Sequence, residues 1–219
     1  MKKLLITVIP LLLLTIIVPA QTDGKNKKQL IGIGIKAGVN FANITKAIEI
    51  GSNTRTGFMA GAFLAPASKR IISSRTEILF SKQGYNYKTN TNSGSVDLNY
   101  LIIPQLMGIN ITRFVQLQVG AQMAFLLNAK ADSSKPAAPN NPYAPIMDYY
   151  NRFDYGAAAG IEIYPVKNVL IGARFNLSFG DLYKNAGDFS GTGSGAPPSF
   201  IPKVNTKNNV IQVFAGIRF

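Results

Sequence analysis

Residues 153–179 read FDYGAAAGIEIYPVKNVLIGARFNLSF. Every second residue from the start gives Phe153, Tyr155, Ala157, Ala159, Ile161 and Ile163, opposed by Asp154, Gly156, Ala158, Gly160, Glu162 and Tyr164. After residues 165–167 the split resumes, with Val169, Ile171, Ala173, Phe175, Leu177 and Phe179 against Leu170, Gly172, Arg174, Asn176, Ser178 and Gly180. A period of two sends alternate side chains to opposite faces of a strand. The stretch is therefore a hairpin of two antiparallel strands, each greasy on one face and small or polar on the other.

The same alternation runs outward from this hairpin in both directions. Ile31, Ile33, Ile35, Ala37, Val39 and Phe41 oppose Gly32, Gly34, Lys36, Gly38 and Asn40, and Val115 to Leu127 alternates with Gln116, Gln118, Gly120 and Gln122. The chain ends on Ile211, Val213, Ala215, Ile217 and Phe219, with Gln212, Phe214, Gly216 and Arg218 between. Three less regular segments, Gly57 to Ala65, Ile71 to Tyr85 and Leu98 to Ile109, bring the expected count to eight strands. Short links near 66–70, 110–113 and 165–167 alternate with long ones near 43–55, 86–95, 129–151 and 183–206, as in an up-and-down meander with tight turns at one end. The greasy face of the regular strands carries no charge, and the other face is Gly, Ala, Gln, Asn and Ser with few charges. A soluble lipocalin-like carrier would instead set Lys and Glu against water. The reading is an all-β protein, an eight-stranded antiparallel up-and-down transmembrane β-barrel over residues 30–219. Backbone groups in lipid need partners, which requires closure between residues 30–42 and 207–219.

The first residues have a different character. Lys2 and Lys3 precede an apolar run from Leu4 to Ile17, and Val18-Pro-Ala20 supplies small residues before Gln21. This reads as a signal peptide over residues 1–20, cleaved after Ala20, followed by a short periplasmic tail over 21–29. The run is too short, and too interrupted by Pro10, to serve as a spanning helix.

Among 219 residues there is no Cys, His or Trp, and only 15% are charged. That excludes Cys and His zinc sites, thiol nucleophiles and imidazole proton shuttles. No cofactor is implied. Without the signal's two lysines, 21 bases face 10 acids, a net +11. Those bases are scattered singly, and an exported protein has little access to nucleic acid, so no nucleic-acid partner is expected. Gly32, Gly34 and Gly38 lack the spacing and following helix of a phosphate loop and read as room in a crowded interior. Asp154 and Glu162 share a face but lie about 26 Å apart along one strand, too far for acid–base partnership.

Alternation points Lys36, Arg75, Glu77, Asp154, Glu162, Arg174 and Arg218 inward, where opposite charges are expected to pair into a plug. Glu77 and Arg75, two apart on a middle strand, are its expected centre. The proline-rich loop carrying Tyr143, Tyr149 and Tyr150 is expected outside, either solvated or as an aromatic docking surface for a protein partner.

The ordered set Glu77-Ile-Leu-Phe-Ser-Lys-Gln-Gly84, Leu98-Asn-Tyr-Leu-Ile-Ile-Pro-Gln-Leu106, residues 119–130, Phe153-Asp-Tyr-Gly156, Ala173-Arg-Phe-Asn-Leu-Ser178 and Gly216-Ile-Arg-Phe219 resembles the PorT-like family of bacterial outer-membrane β-barrel proteins over nearly the whole mature chain. The resemblance implies an outer-membrane address, contact with its lipid, and recognition of the C-terminal strand, ending at Phe219, by barrel-assembly machinery. It implies little about activity. The expected function is a structural, assembly or surface-interaction barrel without catalysis. The alternatives are a narrow conduit or small-ligand barrel, and a soluble periplasmic carrier.

Overall fold

The computed structural model describes residues 31–45, 51–66, 71–90, 93–133, 146–184, 201 and 205–219. The expected signal peptide and tail, and Tyr143, lie outside the described residues. Eight strands form one closed antiparallel barrel in chain order: β1 (Ile31–Ile44), β2 (Asn53–Pro66), β3 (Ile72–Lys88), β4 (Ser93–Asn110), β5 (Val115–Ser133), β6 (Phe153–Val166), β7 (Val169–Ser178) and β8 (Asn208–Arg218). β1 closes on β8 from Gly34 opposite Arg218 to Ile44 opposite Asn208. Closure removes the sheet edges that lipid cannot solvate.

The outer wall is apolar where the alternation predicts, with Ile33, Ile35, Leu117, Val119, Ile161, Ile171, Phe175 and Val213 among its exposed side chains. Two rows of paired residues, climbing from strand to strand with the tilt, mark out its height along each strand. Phe80, Leu101, Phe125 and Phe153 stand side by side on β3 to β6, and Ile72, Ile109, Leu117 and Ile161 form a second row on the same strands. The rows are eight residues apart, roughly 20 Å at 3.3 Å per residue and a 40° tilt, comparable with the apolar band of a membrane barrel. Around the upper row Phe58 lies 5.7 Å from Phe80 and Phe125 5.4 Å from Phe153, an aromatic girdle of the kind found at a membrane interface.

Above that girdle the structure departs from the expected loops. β3, β4 and β5 run 17, 18 and 19 residues, against 10 and 11 for β7 and β8. The expected long connection over 86–95 shrinks to residues 89–92, because Tyr85, Tyr87 and Val96 continue the inward alternation and bury themselves. The three strands thus project roughly 20 Å past the girdle. On their outer wall Arg55 meets Asp97 at 2.5 Å and Lys82 meets it at 3.1 Å, the polar dressing expected where the wall leaves hydrocarbon.

Closure has a simple test. Because every strand has two neighbours, the folded barrel should stay compact in unheated detergent and migrate apart from boiled protein on a gel. Identical mobility of the two samples would contradict a closed sheet.

Candidate functional site: the lumen and its mouth

Five charged side chains converge inside the barrel, from β1, β3, β6 and β7. Glu77 sits at the centre: Lys36 Nζ reaches its carboxylate at 2.7 Å, and the Arg174 guanidinium donates to both oxygens at 2.7 and 3.0 Å. Arg174 also donates to Gln118 Oε1 at 2.8 Å. Beside this group Arg75 donates to both Glu162 oxygens at 2.5 and 2.6 Å and to the Tyr164 hydroxyl at 2.8 Å, which itself donates to Glu162 at 2.8 Å. Arg75 and Glu77 are 3.9 Å apart, so the two groups touch. All five are buried, and three bases against two acids leave one net positive charge.

Aromatic faces serve the excess cation. Lys36 Nζ lies 4.1 Å and Arg174 Cζ 5.3 Å from the Phe214 ring centre, and Arg75 Cζ 4.6 Å from that of Phe63. Ring quadrupoles attract a desolvated cation by roughly 2 kcal/mol. Glycine makes room for both rings. A Cβ on Gly172 would sit 2.7 Å from Phe214 Cζ, and one on Gly34 would clash with Phe63 Cζ. Gly34 of β1 and Gly172 of β7 are thus spacers beneath the two aromatic platforms.

The mouth is closed by a second layer, of tyrosine. Tyr150 pairs with Tyr183 in a short antiparallel bridge, and their rings stand 5.0 Å apart. Asn151 N–H donates to Leu182 O, Lys184 N–H to Tyr149 O and Leu182 N–H to Thr206 O, tying three loop segments together. This lid hangs on Tyr85 of β3, whose hydroxyl accepts from Tyr183 at 2.6 Å and lies 2.8 Å from that of Tyr150. Burial pushes the Tyr150 and Tyr183 hydroxyls well above the ordinary tyrosine range, so both remain protonated. Leu98, Tyr100, Leu126 and Ile146 pack beneath them as one apolar cluster.

Several expectations need correction. Glu77 and Arg75 are central, but they meet their partners across the lumen, on β1, β6 and β7, because the inward faces of the neighbouring β2 and β4 carry no charge. Asp154 does not join the charge layer. It lies near the loop end of β6, where it accepts from Ser178 Oγ at 2.5 Å and from Gly180 N–H at 3.2 Å. Arg218 also stays apart, half-buried at the turn end, with its guanidinium on Ala65 O at 3.3 Å. Tyr150, expected on an outward loop, solvated or docking, is fully buried in the mouth, where its apolar ring gains more than it would in water. Tyr149 is partly buried in the same lid. Phe219 is exposed at the turn end, its N–H donating to Ile33 O at 2.7 Å.

Tyr164, Gln118, Phe63, Phe214 and the Tyr85 anchor were not singled out from sequence. Tyr164 and Gln118 belong to the inward sets of β6 and β5, and Phe214 is the one aromatic on the polar face of β8, so parity could have found these three.

A closed eight-stranded barrel with an apolar girdled wall and a packed, charge-paired interior defines a transmembrane β-barrel of the outer-membrane kind. The chain belongs to the outer membrane protein beta-barrel domain family, whose pattern matches residues 20–184. No match was found among curated proteins. Among solved structures, the attachment invasion locus protein Ail of Yersinia pestis is similar at 15% identity and TM-score 0.45, covering 86% of this chain and 98% of that one. Neisserial surface protein A is similar at 12% identity and TM-score 0.47, covering 85% and 97%. The outer membrane protein OprG of Pseudomonas aeruginosa is similar at 12% identity and TM-score 0.43, covering 87% and 97%.

Proposed function

We propose that this protein is a plugged, non-catalytic barrel that works as a structural, assembly or surface-interaction element of the outer membrane, not as a conduit. The observation that carries this reading is that the lumen is filled at two levels, by the Glu77 charge layer and by the tyrosine lid above it. An eight-stranded interior holds little beyond its own side chains, and two packed layers in series oppose ion passage. Chemistry at a plugged charge layer would lack substrate access.

Finer parts of the reading rest on sequence. The motif order from Glu77 to Phe219 supports a PorT-like assignment, and residues 1–20 support export by a signal peptide cleaved after Ala20, with residues 21–29 as a periplasmic tail. The aromatic Phe219 that follows β8 suits recognition of this strand by barrel-assembly machinery. Longer loops belong outside in such barrels, which puts the lid and the projecting β3–β5 sheet at the cell surface, where a protein partner would meet them.

Purified protein reconstituted in a planar bilayer is expected to show no stepped conductance across the usual voltage range. Discrete, reproducible steps would favour the conduit reading over this one.

A further inference from the structure

Between the two rows that bound the apolar wall, one place breaks the pattern. Thr76 and Gln105 stand opposite each other on β3 and β4, four residues below the Phe80–Leu101 row and four above the Ile72–Ile109 row. They therefore face outward at mid-depth of the hydrocarbon, roughly 10 Å from either edge. The Thr76 hydroxyl donates to Gln105 Oε1 at 2.6 Å, while the Gln105 amide N–H groups meet no acceptor among the described residues. Near this depth the outward residues of the other strands are apolar, with Leu64, Ala37, Val213, Ala173, Ile161 and Val119 closest in height once the strand tilt is allowed for. Ser74, one outward position below Thr76, extends the polar spot.

A primary amide in hydrocarbon without an acceptor costs several kcal/mol, so this position calls for a partner. The neighbouring surface suits close approach. Gln105 lies beside Ala121, and Ala121 beside Ala157, so a row of short side chains continues from the amide across β5 and β6. Between proteins in lipid there is no hydrophobic drive, and small residues with polar contacts supply the attraction instead.

We infer that this face, centred on Gln105, binds a second copy of the same chain. Copies inserted by one route share one orientation, so a twofold axis relating them runs along the membrane normal and preserves depth. Identical residues near such an axis then meet. A carboxamide carries both a donor and an acceptor, so two Gln105 side chains can exchange hydrogen bonds across the axis. Any other partner would need its own polar group at that depth. The inference uses only the outer wall and is independent of whether the lumen conducts.

The absence of native cysteine makes single-cysteine crosslinking clean. In vesicles treated with a lipid-soluble oxidant, Gln105→Cys is expected to form a disulfide dimer at least tenfold faster than Val213→Cys, which lies at similar depth on the far wall. Independently, energy transfer between labelled copies in lipid-diluted vesicles should show self-association of the native chain, weakened roughly tenfold by Gln105→Leu, the effect of losing two hydrogen bonds in lipid. Heat-modifiable migration verifies that each variant is folded. Equal crosslinking at both positions, or native chains that remain monomeric at every lipid ratio, would overturn the inference, including in favour of a different protein as occupant.

Discussion

Replacing Glu77 with alanine is expected to destabilise the folded barrel by roughly 3–5 kcal/mol, the range for stripping one partner from a buried charge cluster. Glu77 accepts from Lys36 and Arg174 and faces Arg75 at 3.9 Å, so its loss leaves three buried bases around Glu162 alone. The local net charge rises from one to two positive. Adding Lys36→Met to the variant restores the original charge count and should recover about 1–2 kcal/mol, a coupling typical of residues in direct contact. Asp154→Ala serves as the contrast. Its bonds to Ser178 and Gly180 lie outside the cluster, and about 1–2 kcal/mol is expected there. Urea unfolding in lipid vesicles, followed by far-ultraviolet circular dichroism, measures all three. If Glu77→Ala unfolds at the native urea concentration, the carboxylate faces water and the plug is not what holds the interior.

How far sequence reaches into this architecture depends on which force sets each feature. Lipid outside and crowding inside impose a period of two, so strand number, closure and the inward direction of Lys36, Glu77, Glu162 and Arg174 were all legible from parity. Parity fixes a face but not a height. The pairing of Glu77 and Arg75 across the lumen, and the separation of Asp154 and Arg218 from the cluster, depend on the stagger between strands, which is a property of the closed barrel. Residues 86–95 read as a loop because asparagine, threonine, serine and glycine dominate there. Tyr85, Tyr87 and Val96 nonetheless extend the strands, since the mouth offers them an apolar interior that a local reading of turn residues does not register. The same interior drew Tyr150 in from a loop that proline content had assigned to solvent.

That tyrosine layer yields the other large effect. Tyr85 is fully buried, and its hydroxyl is where both lid tyrosines anchor, so Tyr85→Ala removes a packed ring and orphans two buried hydroxyls at once. Truncating a buried aromatic costs about 3–5 kcal/mol, and here the cost should fall mainly on the lid, because β3 keeps its backbone pairing with β4. Tyr85→Phe isolates the hydroxyl. It keeps the ring and forfeits the anchor, at roughly 1.4 kcal/mol, which raises the open population of the lid about tenfold. Chymotrypsin reads that population, since Tyr150 and Tyr183 are buried when the lid is shut and become cleavable only when it lifts. In intact vesicles, cleavage after these two tyrosines should therefore be slow in the native protein, about tenfold faster in Tyr85→Phe and faster still in Tyr85→Ala, while the barrel itself remains heat-modifiable. Equal cleavage in all three would mean that the lid is held by its backbone bridge to Leu182 and Thr206, with the tyrosine hydroxyls contributing nothing to keeping the mouth shut.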